Sequence, residues 1–254
     1  MILKVIVDSL KFSFSAKRNV PYFLMTFLFL YTSCQMLVSL NSFLAGEPPT
    51  FIFNLYLFIF FLYFLFQPFF ISFLLHQVRY FDKKIPIVKS FQFSLSIFLK
   101  SFLIFIIFGC VNFLLGLIPF LGIIFILIFS IITIYVYPAA IIDNKKILDS
   151  FKKSFSLFKK FPLKTMLFFI FVCLFSASVI FVSSLPILIW IGSKLYEVYT
   201  QTQDMFFVVN SLINLLSSIQ ILPFLALISL SSSFIFVFSF SAFARFYLQL
   251  KKKV

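Results

Sequence analysis

Gly116-Leu117-Ile118-Pro119-Phe120-Leu121-Gly122 interrupts an apolar run that extends from residue 97 to residue 142. Two glycines and a proline so close together favour a tight turn. The apolar stretch on either side can cross a bilayer, which takes about 20 residues at 1.5 Å rise each. The run therefore reads as a helical hairpin, with its turn on one side of a membrane and both ends on the other.

Working outward, comparable apolar stretches occupy residues 21–45, 51–76, 162–191 and 223–247, and with the hairpin's 97–117 and 118–142 they make six spans. Basic residues cluster between them at 4–18, 79–100, 145–164 and 245–253. Of the 21 Lys and Arg residues only Lys194 falls in a connection on the opposite side. Basic loops stay cytoplasmic, so the expectation is an even number of crossings with both termini inside. The opposite connections are the turn Gly46-Glu47-Pro48-Pro49, the hairpin tip, and a loop over 192–205 with Glu197 and Asp204. Residues 206–222 are apolar but at the lower limit for spanning. Asn210, Asn214, Ser217 and Ser218 recur there at helical spacing, which predicts an interfacial helix or the wall of a polar cavity.

Composition leads to the same class. The chain is 63% hydrophobic and 11% charged, with a mean hydropathy of +1.15. A soluble domain carries about 25% charged residues, so lipid must replace water around most of this one. The net charge of +14 lies at span ends, which points to anionic lipid headgroups and away from nucleic acid. The 45 Phe residues are compatible with lipid, where Phe inserts as readily as Leu. Cys34, Cys110 and Cys173 sit singly in apolar segments without a metal or redox spacing.

Chemistry finds little foothold. His76 is the only histidine, and each of the seven acidic residues lies outside the spans. A Ser–His or multi-His arrangement is thus not expected, and neither are catalytic residues, a cofactor or a metal. Ion-coupled carriers usually hold a charge within the membrane. The uncharged polar residues Gln35, Asn41, Asn54, Gln67, Asn112 and Ser231-Ser232-Ser233 read more simply as interhelical hydrogen-bonding groups. Pro68 and Pro138 are expected to kink their spans.

Three stretches that precede pairs of spans resemble one another: Asp8-Ser-Leu-Lys-Phe-Ser-Phe-Ser15, Lys89-Ser-Phe-Gln-Phe-Ser-Leu-Ser96 and Asp149-Ser-Phe-Lys-Lys-Ser-Phe-Ser156. Aligned without gaps, Ser9, Ser90 and Ser150 coincide, as do Ser13, Ser94 and Ser154, and Ser15, Ser96 and Ser156. The outer two also share Asp8 with Asp149, Lys11 with Lys152 and Pro21 with Pro162. Each stretch should be an amphipathic helix on the cytoplasmic face. In the third, Leu148, Phe151, Phe155 and Phe158 would face the acyl boundary, with Lys152, Lys153, Lys159 and Lys160 reaching headgroups. Asp82 and Asp143 suit N-caps for the second and third. Pro21 and Pro162 suit the first turn of the span that follows.

The three-unit plan resembles a bacterial and archaeal six-span superfamily that includes the membrane domain attached to glycerophosphodiester phosphodiesterases. Tyr137-Pro-Ala-Ala-Ile-Ile-Asp-Asn-Lys-Lys-Ile-Leu-Asp-Ser-Phe-Lys-Lys-Ser-Phe-Ser-Leu-Phe-Lys-Lys160 and Phe243-Ala-Arg-Phe-Tyr-Leu-Gln-Leu250 carry the likeness. It implies a fold and a membrane setting and brings no catalytic residues.

The expectation is therefore an all-α integral membrane protein, a single polytopic domain over residues 1–254. Its six transmembrane helices form three units (about 1–80, 81–142 and 143–254), each a cytoplasmic amphipathic helix plus a helical hairpin. A bacterial cytoplasmic membrane is the expected location, and a non-enzymatic accessory or membrane-organising role the expected function. Lys11, Lys17, Arg18, Lys83, Lys84, Lys152, Lys153, Lys159 and Lys160 are the expected contacts to anionic lipid or to a membrane-protein partner. The alternative is a permease or lipid carrier with an uncharged pathway past Asn210, Asn214 and Ser217.

Overall fold

Long apolar helices alternate with short amphipathic ones in the computed structural model, which describes residues 2–44, 51–80, 86–202 and 205–253 and shows no strand among them. In chain order the helices are α1 (Ile2–Ser13), α2 (Ala16–Leu44), α3 (Phe51–Arg79), α4 (Ile87–Ser96), α5 (Phe98–Gly116), α6 (Gly122–Thr133), α7 (Val136–Ile141), α8 (Ile147–Lys160), α9 (Pro162–Thr202), α10 (Met205–Ser217) and α11 (Leu222–Lys251). Six stretches are long and apolar enough to cross a membrane: Ala16–Leu40, Phe53–Arg79, Phe98–Gly116, Gly122–Ile141, Pro162–Gln201 and Ile219–Lys251. The protein is thus an all-helical chain with the elements of a multi-pass membrane protein.

Several local expectations need correction. The loop expected over 192–205 is largely helical: α9 runs on to Thr202 and is 41 residues long. At 1.5 Å per residue that is about 60 Å, twice the ~30 Å hydrocarbon core. Pro162 opens α9 as expected, but Pro21 lies inside α2, which starts at Ala16 with Arg18 N–H bonded to Ser15 O at 3.0 Å. As the sixth residue of α2, Pro21 lies past the first turn and gives up the ladder bond to Lys17 O. The turn Gly46-Glu47-Pro48-Pro49, the cap expected at Asp82, and Lys83 and Lys84 lie outside the described residues.

The α5–α6 hairpin closes where expected, for a partly different reason. Phe120, not a glycine, takes the left-handed conformation at the tip (φ 60). Gly122 is required for proximity: a Cβ there would meet Leu115 O at 2.5 Å.

Pro138 does more than bend its span. It has no N–H to offer Ile134 O, and its ring crowds that carbonyl. The helix breaks at Ile134–Tyr135, ending α6 and starting α7. Ser154 of α8 fills the break: its hydroxyl donates to Ile132 O (2.6 Å) and accepts from Tyr135 N–H (3.2 Å). One side chain thus replaces the two partners that the interrupted ladder lost.

Large apolar side chains lie outside as well as inside, and small hydroxyl residues share the interior. Phe120, Ile123, Leu99 and Phe113 are among the most exposed side chains, while Ser9, Ser13, Ser72, Ser90, Ser94, Ser101, Ser150, Ser154, Thr165 and Ser233 are buried. Lipid is as apolar as Leu, so helices associate through close packing and hydrogen bonds, and small hydroxyl residues gather inside.

The chain divides into two compact units. Unit 1 comprises Met1–Arg18, Leu65–Phe175 and Phe236–Val254, and unit 2 comprises Asn19–Phe64 and Ser176–Ile235. The core of unit 1 gathers Tyr135, Leu157, Phe168, Phe238, Phe246 and Tyr247. Phe168 stacks on Phe246 at 4.1 Å, and the hydroxyls of Tyr135 and Thr165 meet at 2.9 Å. The core of unit 2 is smaller, formed by Ile187, Ile221 and Leu225. Trp190 stacks there on Phe224 at 5.2 Å, and Ser233 donates to Asn19 O at 2.8 Å.

Candidate lipid-facing basic site

Every described Lys and Arg except Lys194 belongs to unit 1, so the site is built there. The serines of α8 decide which way its lysines face. Ser150, Ser154 and Leu157 are buried, which turns Lys152, Lys159 and Lys160 outward and leaves Lys153 half-buried. Leu148 and Phe155 are exposed beside them, while Phe151 packs on Phe108 at 5.9 Å between ring centroids. Lys159 Nζ lies 4.7 Å from the Phe155 ring centre, so its stem follows apolar surface while the ammonium stays at the edge.

Lys11 and Lys17 are likewise exposed, but Arg18 is not the open contact expected of it. Its Nε donates to Gln77 Oε1 (2.8 Å) and its Nη1 to Phe12 O (2.9 Å). Its guanidinium carbon sits 3.8 Å from the centre of the buried Phe12 ring, with that of Arg245 at 5.8 Å from the same ring. Arg18 thus ties α1 to the end of α3.

Asp143 is likewise not the cap expected for α8. The residue before the helix is Lys146, and no side chain caps its first turn. Asp143 instead accepts hydrogen bonds from Tyr247 Oη (2.6 Å) and Lys251 Nζ (2.8 Å), clipping the α7–α8 linker to α11. Burial pushes this carboxyl up, but the hydrogen bonds from Lys251 and Tyr247 and the charges of Lys251 and Lys145 outweigh it and hold it below the ordinary aspartate value.

With the linker held in this way, a cleft of about 740 Å³ opens at the start of α8. Lys100, Asn144, Lys146, Ile147, Leu148, Asp149 and Lys152 line it. Asn144 takes the left-handed conformation (φ 51) that Asn tolerates. Lys100, from α5, donates to Ala140 O (2.8 Å) and Asn144 Oδ1 (3.2 Å). The first N–H groups of α8 have no intrahelical acceptor, and their end of the helix carries partial positive charge. The cleft can therefore hold an anion: three ammonium groups and backbone donors surround one carboxylate.

The residues expected in a polar cavity are only partly brought together. A pocket of about 300 Å³ in unit 2 is lined by Lys194, Glu197, Val198, Ser211, Asn214 and Leu215. Asn214 takes part, Ser211 stands where Asn210 was expected, and the Ser217 side chain lies outside those described.

Sequence reasoning also missed a Ser–His contact. His76 Nδ1 and Ser90 Oγ are 3.1 Å apart, and Phe93 stacks on the imidazole at 4.2 Å. Ser90 is fully buried. The bond seats α4 on α3. Among the described residues no three His, Cys, Asp or Glu side chains come together. No family model, curated protein or solved structure matches the chain.

Proposed function

We propose that this is a non-enzymatic, multi-pass protein of a bacterial cytoplasmic membrane that binds anionic lipid through its basic cytoplasmic face, in an accessory or membrane-organising role. The carrying observation is α8. Its buried serine face fixes exposed Lys152, Lys159 and Lys160 beside exposed Leu148 and Phe155, the pairing of charge and apolar area that suits a headgroup–acyl boundary. The distribution of Lys and Arg supports both termini being cytoplasmic. The burial of Ser9, Ser13, Ser90, Ser94, Ser150 and Ser154 supports the three-unit plan, because two of the three aligned serine sets are buried in every copy.

Replacing Lys152, Lys153, Lys159 and Lys160 together with Gln tests the reading in nanodiscs of mixed phosphatidylcholine and phosphatidylglycerol. Co-purified phosphatidylglycerol should fall several-fold while insertion is unchanged, since each Lys near an anionic surface contributes about 1 kcal/mol. Unchanged lipid retention would remove the role given to α8. The pocket containing Asn214 and Ser211 favours a second reading, a carrier, in which the ion pair Lys194–Glu197 stands at an otherwise uncharged path. A continuous stripe of aqueous accessibility at introduced cysteines through several spans would support it.

A further inference from the structure

We infer that the cleft at the start of α8 is a discrete site for a phosphate group, a deepening that rests on the lipid-binding reading above. Three kinds of donor from two parts of the chain converge on it. Lys100 comes from α5, across the hairpin, and is held by Ala140 O and Asn144 Oδ1. An ammonium has three N–H donors, so one remains for the cleft. Lys146 and Lys152 come from the linker and the second turn of α8, both exposed and able to close on a guest. The third contribution is the uncapped first turn of α8, with its backbone N–H groups.

Charge selects the guest. Lys100, Lys146 and Lys152 against Asp149 leave an excess of two positive charges in the lining. A phosphomonoester carries about −1.5 to −2 at neutral pH with three acceptor oxygens, so it matches this excess better than a singly charged phosphodiester or carboxylate. Leu148 at the rim is 75% exposed, an apolar lip against which a glycerolipid can lay its chains. A phosphatidate headgroup and free inorganic phosphate share the recognised chemistry, and the test separates these sources.

The full chain is reconstituted in phosphatidylcholine nanodiscs doped with equal fractions of phosphatidic acid and phosphatidylglycerol. Native mass spectrometry then counts the retained lipid. The wild type should retain one phosphatidic acid in preference to phosphatidylglycerol. The K146Q/K152Q variant should lose about tenfold in that affinity, and the charge-matched K252Q/K253Q, at two exposed lysines past the end of α11, less than about twofold. In undoped discs, inorganic phosphate at constant ionic strength is the second arm. Thermal protection of the wild type and not of K146Q/K152Q identifies free phosphate as a source; protection by phosphatidic acid alone identifies the lipid. Equal losses in the two double variants would overturn the discrete site and leave distributed lipid binding standing. No preference for either anionic lipid in the wild type would overturn both.

Discussion

Helices α4 and α8 share a serine pattern, yet they spend the same hydroxyl differently. In α4, Ser94 donates back to Ser90 O of its own helix at 2.7 Å, a carbonyl that the helix ladder already serves. In α8, the aligned Ser154 reaches another element and repairs the break between α6 and α7. The difference lies in the neighbour: Pro138 interrupts the fourth span and leaves backbone groups to be satisfied. A buried serine on such a helix is a general-purpose donor and acceptor, and its energetic weight is set by what it faces.

Ser154→Ala should therefore have the largest effect. It strands the Tyr135 N–H in a fully buried site and should cost about 2–3 kcal/mol, read as a lower midpoint in SDS titration of the detergent-solubilised protein. Next comes the coupling with Pro138. Alanine at 138 restores a backbone donor, so in that background Ser154→Ala should cost at least about 1 kcal/mol less. Additive costs would mean that the hydroxyl does not compensate for the proline. Tyr247→Phe removes a hydrogen bond to a largely buried carboxylate and loosens the linker that positions α8; about 1–2 kcal/mol is expected. Because the folded Asp143 has a lowered pKa, its contribution is complete above the unfolded value near 3.9. It is lost as pH falls through the lower folded value, and melting of wild type and Tyr247→Phe should converge there. Ser94→Ala should be smallest, at about 0.5 kcal/mol or less, near the average for side-chain hydrogen bonds in membranes.

The six spans were legible because length and apolarity are properties of contiguous residues, and the three aligned serine triplets were visible for the same reason. What the serines do was not legible: Ile132 and Tyr135 become partners of Ser154 only once the hairpin folds back on α8. The cleft was hidden in the same way. Lys100 read as the last member of a basic cluster, and its tie to Ala140 O spans 40 positions. Asp143 offered a local signal, a carboxylate shortly before a helix, that lost to two donors from the C-terminal helix. The continuation of α9 past residue 191 was obscured by the polar residues Ser193, Lys194, Glu197 and Thr200, which resemble a loop in composition. Their helical order is visible only in bonds such as Lys194–Glu197 at 2.9 Å and Thr200 Oγ1 to Tyr196 O at 3.1 Å.

The tip of the α5–α6 hairpin has a consequence for how the chain is made. Residues 116–122 carry no charge, and Phe120 projects from the turn almost fully exposed, at 98%. The connection preceding α3 contains Glu47, and α9 carries Lys194 and Glu197 near its far end. On the topology proposed above these groups are carried across the bilayer, where a charged side chain at mid-membrane costs about 2.5–3.5 kcal/mol. On the proposed topology the central hairpin meets no such barrier, and its uncharged tip can enter lipid with both helices together.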